Sequence, residues 1–157
     1  MNILTVNLIL NTYVFWVAAR IYVLPRLSQW DPQAVLAPIL LLHSTRHMGL
    51  MFLAAGATWP GIPAQFAYPA AYGDLLAAVL AMSALLTRSR AMVWVFNIVG
   101  TLDLALAIVL ATVYGAPAFM GPAYWIPAFW VPALLVTHYL TSRILLTNEK
   151  SPAPAAG

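Results

Sequence analysis

Residues 33–55 read QAVLAPILLLHSTRHMGLMFLAA. Apolar side chains fill both flanks, and His43, Arg46 and His47 occupy the centre. The run is long enough for a helix to cross the hydrocarbon layer of a bilayer. On an α-helix turning 100° per residue, His43, Arg46 and His47 share one face. Ionisable groups at that depth are costly and mark a pathway, a cofactor or a site. The stretch therefore reads as a membrane span with a polar centre, which the other segments must shelter.

The composition agrees. The chain has 157 residues, 63% hydrophobic and 7% charged, where a soluble domain averages about 25% charged. So little charge cannot cover a water-facing surface, and lipid is the expected solvent. Seven Lys and Arg against four acidic residues give a formal +3. The basic residues are scattered and not interleaved with aromatics, so no nucleic-acid partner is expected. The absence of cysteine rules out disulfides, thiolate metal sites and thiol catalysis. No Lys or Arg precedes the first apolar run, which is long enough to span. An uncleaved first span is expected there rather than a removable signal peptide.

Four further segments repeat the pattern. The fold is predicted to be all-α: a single transmembrane five-helix bundle over residues 1–147, with spans at about 3–24, 33–55, 69–86, 91–114 and 123–146. A polar, then Pro/Ala-rich tail over 148–157 is expected to be disordered. Pro25 is expected to stop the first span. Pro127 and Pro132 leave two forms of the fifth: a kinked helix from Ala123, or an aromatic lip followed by a helix from Val131. Arg26, Arg88, Arg90, Arg143 and Lys150 flank the first link, the third link and the tail, while the second and fourth links carry no charge. The positive-inside rule then puts the N-terminus outside and the C-terminus inside. The short links make a bacterial-type inner membrane the default. Four spans plus a re-entrant piece is the alternative.

Depth counting brings the polar residues together. At a rise of ~1.5 Å per residue, Arg46 and Asp103 both lie roughly 18 Å from the inner ends of their spans. Neither is tolerable alone in hydrocarbon, so the two are expected to pair. His43 and His47 straddle that level, Asp74 enters from the outer side towards His47, and His138 lies near mid-depth. Imidazole is the commonest transition-metal ligand. His43, His47 and His138 form a candidate ligand set for a metal ion or, from facing helices, for a b-type haem. Arg46, Asp74 and Asp103 serve as charge partners or outer ligands, and Asn97 and Thr101 as polar pocket residues. The architectural alternative is an ion pair that fixes helix register, with histidines bonded to Ser44, Thr45, Thr101 or Thr137. Arg20, close to the inner surface, reads as a snorkelling residue.

Three functions follow. The first is binding of a transition metal or haem in a mid-membrane pocket, with redox or hydrolytic chemistry. The second is a small proton-coupled transporter working as an oligomer. The third is an accessory subunit of a larger membrane complex, its spans packed through small residues such as Ala77, Ala81 and Ala111. The aromatic outer links, with Trp59, Tyr68, Trp125 and Trp130, read as an interfacial belt or as the lip of a site for an apolar small molecule.

Overall fold

The computed structural model describes residues 3–147, and the expected tail over 148–157 lies outside them. The described residues form helices joined by short links, without strands. Five helices are long and apolar enough to cross a membrane: α1 Ile3–Arg26, α2 Pro32–Leu53, α3 Ala64–Thr87, α4 Arg90–Val113 and α5 Gly121–Thr147. Apolar side chains cover the outside as well as the inside. Leu41, Val79, Leu102 and Val109 are all more than half exposed, a surface suited to lipid rather than water.

Capping chemistry sets the helix starts. Asp31 accepts from the backbone N–H groups of Gln33 (3.3 Å) and Ala34 (3.2 Å), and Pro32 takes the first helical position, where its missing N–H costs nothing. Ser89 accepts from the Met92 N–H at 3.4 Å and opens α4. The third span begins at Ala64 rather than Pro69. Pro69 strips a partner only from Gln65, within the opening turns, so the helix runs through it.

Two other prolines widen the turns before them: Pro25, one residue before α1 ends at Arg26 as expected, and Pro132 within α5. Pro25 leaves the carbonyls of its preceding turn without regular partners, and Ala19–Val23 forms a π turn. The Arg26 guanidinium folds back to donate to the Ile21 carbonyl (3.3 Å) and the Tyr22 carbonyl (3.0 Å). In α5, Ile126–Trp130 is a π turn that runs into a regular helix from Val131. The fifth span is thus a continuous, distorted helix. Pro132 releases the Ala128 carbonyl four residues earlier, and Asn11 of α1 donates its side-chain N–H to it at 2.7 Å. That bond ties α1, whose surface is otherwise largely exposed, to the bundle.

The core of α2–α5 has two apolar layers. One holds Leu36, Leu40, Ala84, Phe96 and Ile144. The other holds Phe52, Phe66, Ala67, Met120 and Ile126. Between α3 and its neighbours, Ala71, Ala77 and Ala81 are fully buried, letting backbones approach closely. The two uncharged links meet at one end of the bundle. The Trp59 N–H donates to the Phe119 carbonyl and the Ala123 N–H to the Ala57 carbonyl, both at 2.8 Å. At the other end Arg90 donates to the Leu145 carbonyl at 2.6 Å.

Candidate functional site

The polar residues of α2–α5 fall between the two apolar layers, and Arg46 is their hub. Its presentation depends on a change of helix type. Pro32–Ser44 is α-helical, but Thr45–Leu53 is a 3-10 helix. At three residues per turn, residues three apart eclipse. Arg46, Gly49 and Phe52 accordingly form the buried stripe of this segment. His43 and Arg46 stay on the inner face, while His47 rotates away, is exposed, and donates from Nδ1 to the Ser44 carbonyl at 3.0 Å. The single face shared by His43, Arg46 and His47 does not form, because the helix tightens just after His43.

Arg46 is 1% exposed, and all but one of its N–H groups are engaged. Nε donates to Asp74 Oδ1 at 2.7 Å, and Nη2 to Asp103 Oδ2 at 2.6 Å. Nη1 contacts the Gly100 carbonyl and His138 Nε2, each at 3.2 Å. Asp74 therefore meets Arg46 rather than His47. Each carboxylate gives one oxygen to the guanidinium, and among the described residues no hydrogen bond reaches the other. With both ionised, two carboxylates against one guanidinium leave one negative charge in excess, which a proton on either would remove.

The histidine tautomers follow from their partners. Arg46 only donates, so His138 Nε2 accepts and its Nδ1–H donates to Asn97 Oδ1 at 2.9 Å. Asn97 Nδ2 donates to Ser142 Oγ at 2.8 Å, and that hydroxyl donates to the His138 carbonyl at 3.1 Å. Thr137 Oγ1 donates to a carbonyl of its own helix and accepts from His43 Nε2 at 2.8 Å. His43 Nδ1 is then a buried acceptor with no partner. Thr101 lies on an exposed face, its hydroxyl bonded to the Asn97 carbonyl at 2.6 Å. It does not line the polar centre; Asn97 does.

This arrangement bears on the ligand set expected for a metal or haem. His43 and His138 have ring centroids 4.3 Å apart, in direct contact, and leave no space for a porphyrin between them. Both Nε2 atoms are taken by Thr137 and Arg46, and His47 points elsewhere. Among the described residues no group of three His, Cys, Asp or Glu is placed to hold a metal ion.

Three glycines make room for the cluster. A Cβ at Gly49 would collide with the Asp74 carboxylate, one at Gly73 with the Asp103 carboxylate, and one at Gly100 with His138 and Arg46. Sequence reasoning centred on charged residues passes over them. Their signal is position: Gly49 and Gly100 each sit one helical turn from a charged residue, and Gly73 is next to Asp74.

On the side of the uncharged links the cluster meets a cavity of about 230 Å³. Leu4 and Leu8 of α1, Phe52 of α2, Phe66 of α3, Ile108 of α4 and Val131 of α5 contribute to its wall. Among the described residues, Asp74 is the only ionisable one in that wall. An apolar chamber with one convergent charged group is the usual form of a small-molecule site.

Five apolar helices around a buried arginine–carboxylate cluster are the make-up of a multi-pass membrane protein with an internal polar site. The chain belongs to the family described as a domain of unknown function (DUF8737), which it matches over residues 3–146. No curated protein and no solved structure matches it.

Proposed function

We propose that this protein is a small proton-linked membrane carrier, with the Arg46–Asp74–Asp103 cluster as its proton site and the adjoining cavity as its substrate chamber. One observation carries the reading: a single guanidinium is shared by two carboxylates, Asp74 buried at the wall of an apolar cavity and Asp103 half-buried outside that wall. An ion pair serving only architecture needs one acid per base. A second acid in low dielectric leaves a charge that favours uptake of a compensating proton or cation. The groups facing Asp74 are Arg46 from α2 and Asp103 from α4, with neutral His138 of α5 behind the guanidinium. Among the described residues, α1 adds Leu4, Thr5 and Leu8 to the chamber. The 3-10 segment Thr45–Leu53 carries Arg46, and such mid-helix segments often mark hinges.

The orientation we assign is N-terminus outside and C-terminus inside, from the placement of Arg26, Arg88, Arg90 and Arg143, in a bacterial-type inner membrane. The chamber then faces outward. Five helices are few for a lone carrier, so we assign a homo-oligomer. Exposed His47 supports it, because an imidazole facing lipid gains from cover by a second copy.

Cysteine accessibility tests the carrier reading directly, since the chain has no native cysteine. Ala70→Cys places a thiol in the chamber wall. In liposomes of defined orientation, the side from which a membrane-impermeant maleimide labels it is expected to change with pH, as is the rate relative to free cysteine at the same pH, since coupling goes through the thiolate. Labelling from one side only, at the same relative rate at every pH, defeats the carrier assignment.

A further inference from the structure

We infer that the chamber takes a small lipophilic monocation, an apolar body with a single positive charge, and that this cation and a proton compete for the same seat at Asp74. The inference rests on the carrier reading above and names its substrate class. Three observations lead to it.

The first is charge. Arg46 satisfies one oxygen of each carboxylate, and with both carboxylates ionised the cluster carries one negative charge more than positive, which either a proton or a bound cation can balance. An anionic ligand would add to the excess, and a neutral one would leave it uncompensated. A monovalent cation cancels it.

The second is the wall. Apart from Asp74, the polar side chains among the described residues of the lining are those of Thr5 and Thr112. A zwitterion or a sugar would find too few partners there to replace its hydration. Phe52 and Phe66 stand edge to face with ring centroids 5.0 Å apart, and aromatic rings also favour an organic cation.

The third is size. The chamber, at about 230 Å³, exceeds the roughly 150 Å³ apolar cavity that holds benzene. A ring with a small cationic substituent fits; a long amphiphile does not.

Asp103 is not an equivalent seat. It lies outside the chamber wall. Asp74 is the group that a ligand in the chamber meets, with Asp103 sharing the guanidinium behind it. Binding of the cation displaces the proton to water, so charge is conserved within the membrane.

The probe is phenyltrimethylammonium, whose charge is fixed at every pH. Its neutral isostere, tert-butylbenzene, is the control. Both are titrated calorimetrically into the full chain in lipid nanodiscs, with a pH dye reporting proton release. The expected result is tighter binding of the cation than of the isostere. Cation affinity should fall by up to about tenfold for each unit of falling pH, the slope for one linked proton, while the isostere stays insensitive to pH. In Asp74→Asn the cation should lose at least tenfold in affinity while the isostere still binds, which shows that the chamber has survived. Equal affinity for the two probes in the wild type overturns the inference. So does binding of neither, the result expected if a lipid acyl chain fills the chamber, or an unchanged cation affinity in Asp74→Asn. The two readings fail separately. Cation binding without proton release keeps the substrate class and removes the proton coupling. pH-dependent labelling of Ala70→Cys with no cation binding does the reverse.

Discussion

Replacing Arg46 by Met removes the guanidinium while keeping most of the side chain's apolar length. The structure sets two scales for the cost. If the four Arg46 contacts were ordinary intramembrane hydrogen bonds, each would contribute about 0.6 kcal/mol, for a total of roughly 2.4 kcal/mol. If Arg46 is a charge clamp, its loss strands Asp74 and Asp103 beside one another in low dielectric, and removing one partner of a buried ion pair costs about 3–5 kcal/mol. The second figure is expected. The decisive comparison repeats Arg46→Met in a background carrying Asp74→Asn and Asp103→Asn. No carboxylate is stranded there, so the substitution should cost less by about 1.5 kcal/mol or more, a coupling typical of residues in one network. Reversible unfolding in lipid–detergent micelles, followed by circular dichroism, measures both values. A loss under about 1 kcal/mol in the wild-type background refutes the clamp. An equal loss in both backgrounds refutes it too.

Other substitutions probe the supports of the site. Gly100→Ala should destabilise although alanine is the better helix former by about 1 kcal/mol, because overpacking against His138 and Arg46 costs about 1–3 kcal/mol; a net gain in the same unfolding assay would show that His138 and Arg46 do not fill that space. Asn11→Leu strands the Ala128 carbonyl and should cost about 0.6–1.7 kcal/mol, with faster amide exchange over Ile126–Trp130; unchanged exchange would show that α1 is held by packing alone. His47→Leu should weaken self-association in bilayers by about three- to twentyfold, the equivalent of one intramembrane hydrogen bond, as read by single-molecule photobleaching; association that is unchanged or stronger would remove His47 from the interface.

The fold was legible because lipid imposes a simple grammar: long apolar runs become helices, and charge collects at one end. The residues that blurred the boundaries were prolines. Pro69 looks like a start but lies inside α3. Pro132 looks like a break but is bridged by a π turn whose freed carbonyl Asn11 takes. The first outcome is local, since Pro69 falls within the opening turns of α3; the second depends on a partner elsewhere in the chain. In the site, depth counting places Arg46 level with Asp103, and the two are bonded. The same counting cannot find the 3-10 segment at Thr45–Leu53, because that choice lets Gly49 seat Asp74. A regular α-helix was assumed there, and with it a face that included His47. The cavity left no trace in the sequence: its lining residues recur one turn apart, as at Phe66, Ala70 and Asp74, like any packed helix face, and only the assembly of the five helices leaves space between them.

The central claim is that Asp74 and Asp103 share one guanidinium and retain a charge that a proton balances. Infrared titration of the reconstituted protein tests this most directly. The account predicts a protonated-carboxyl band that appears and disappears reversibly with pH in the wild type, and whose cluster component is lost when both aspartates are replaced by asparagine, leaving only the carboxyls of Asp31, Glu149 and the C-terminus. A wild-type protein that stays folded across the titration and gives the same carboxyl titration as the double variant would contradict it.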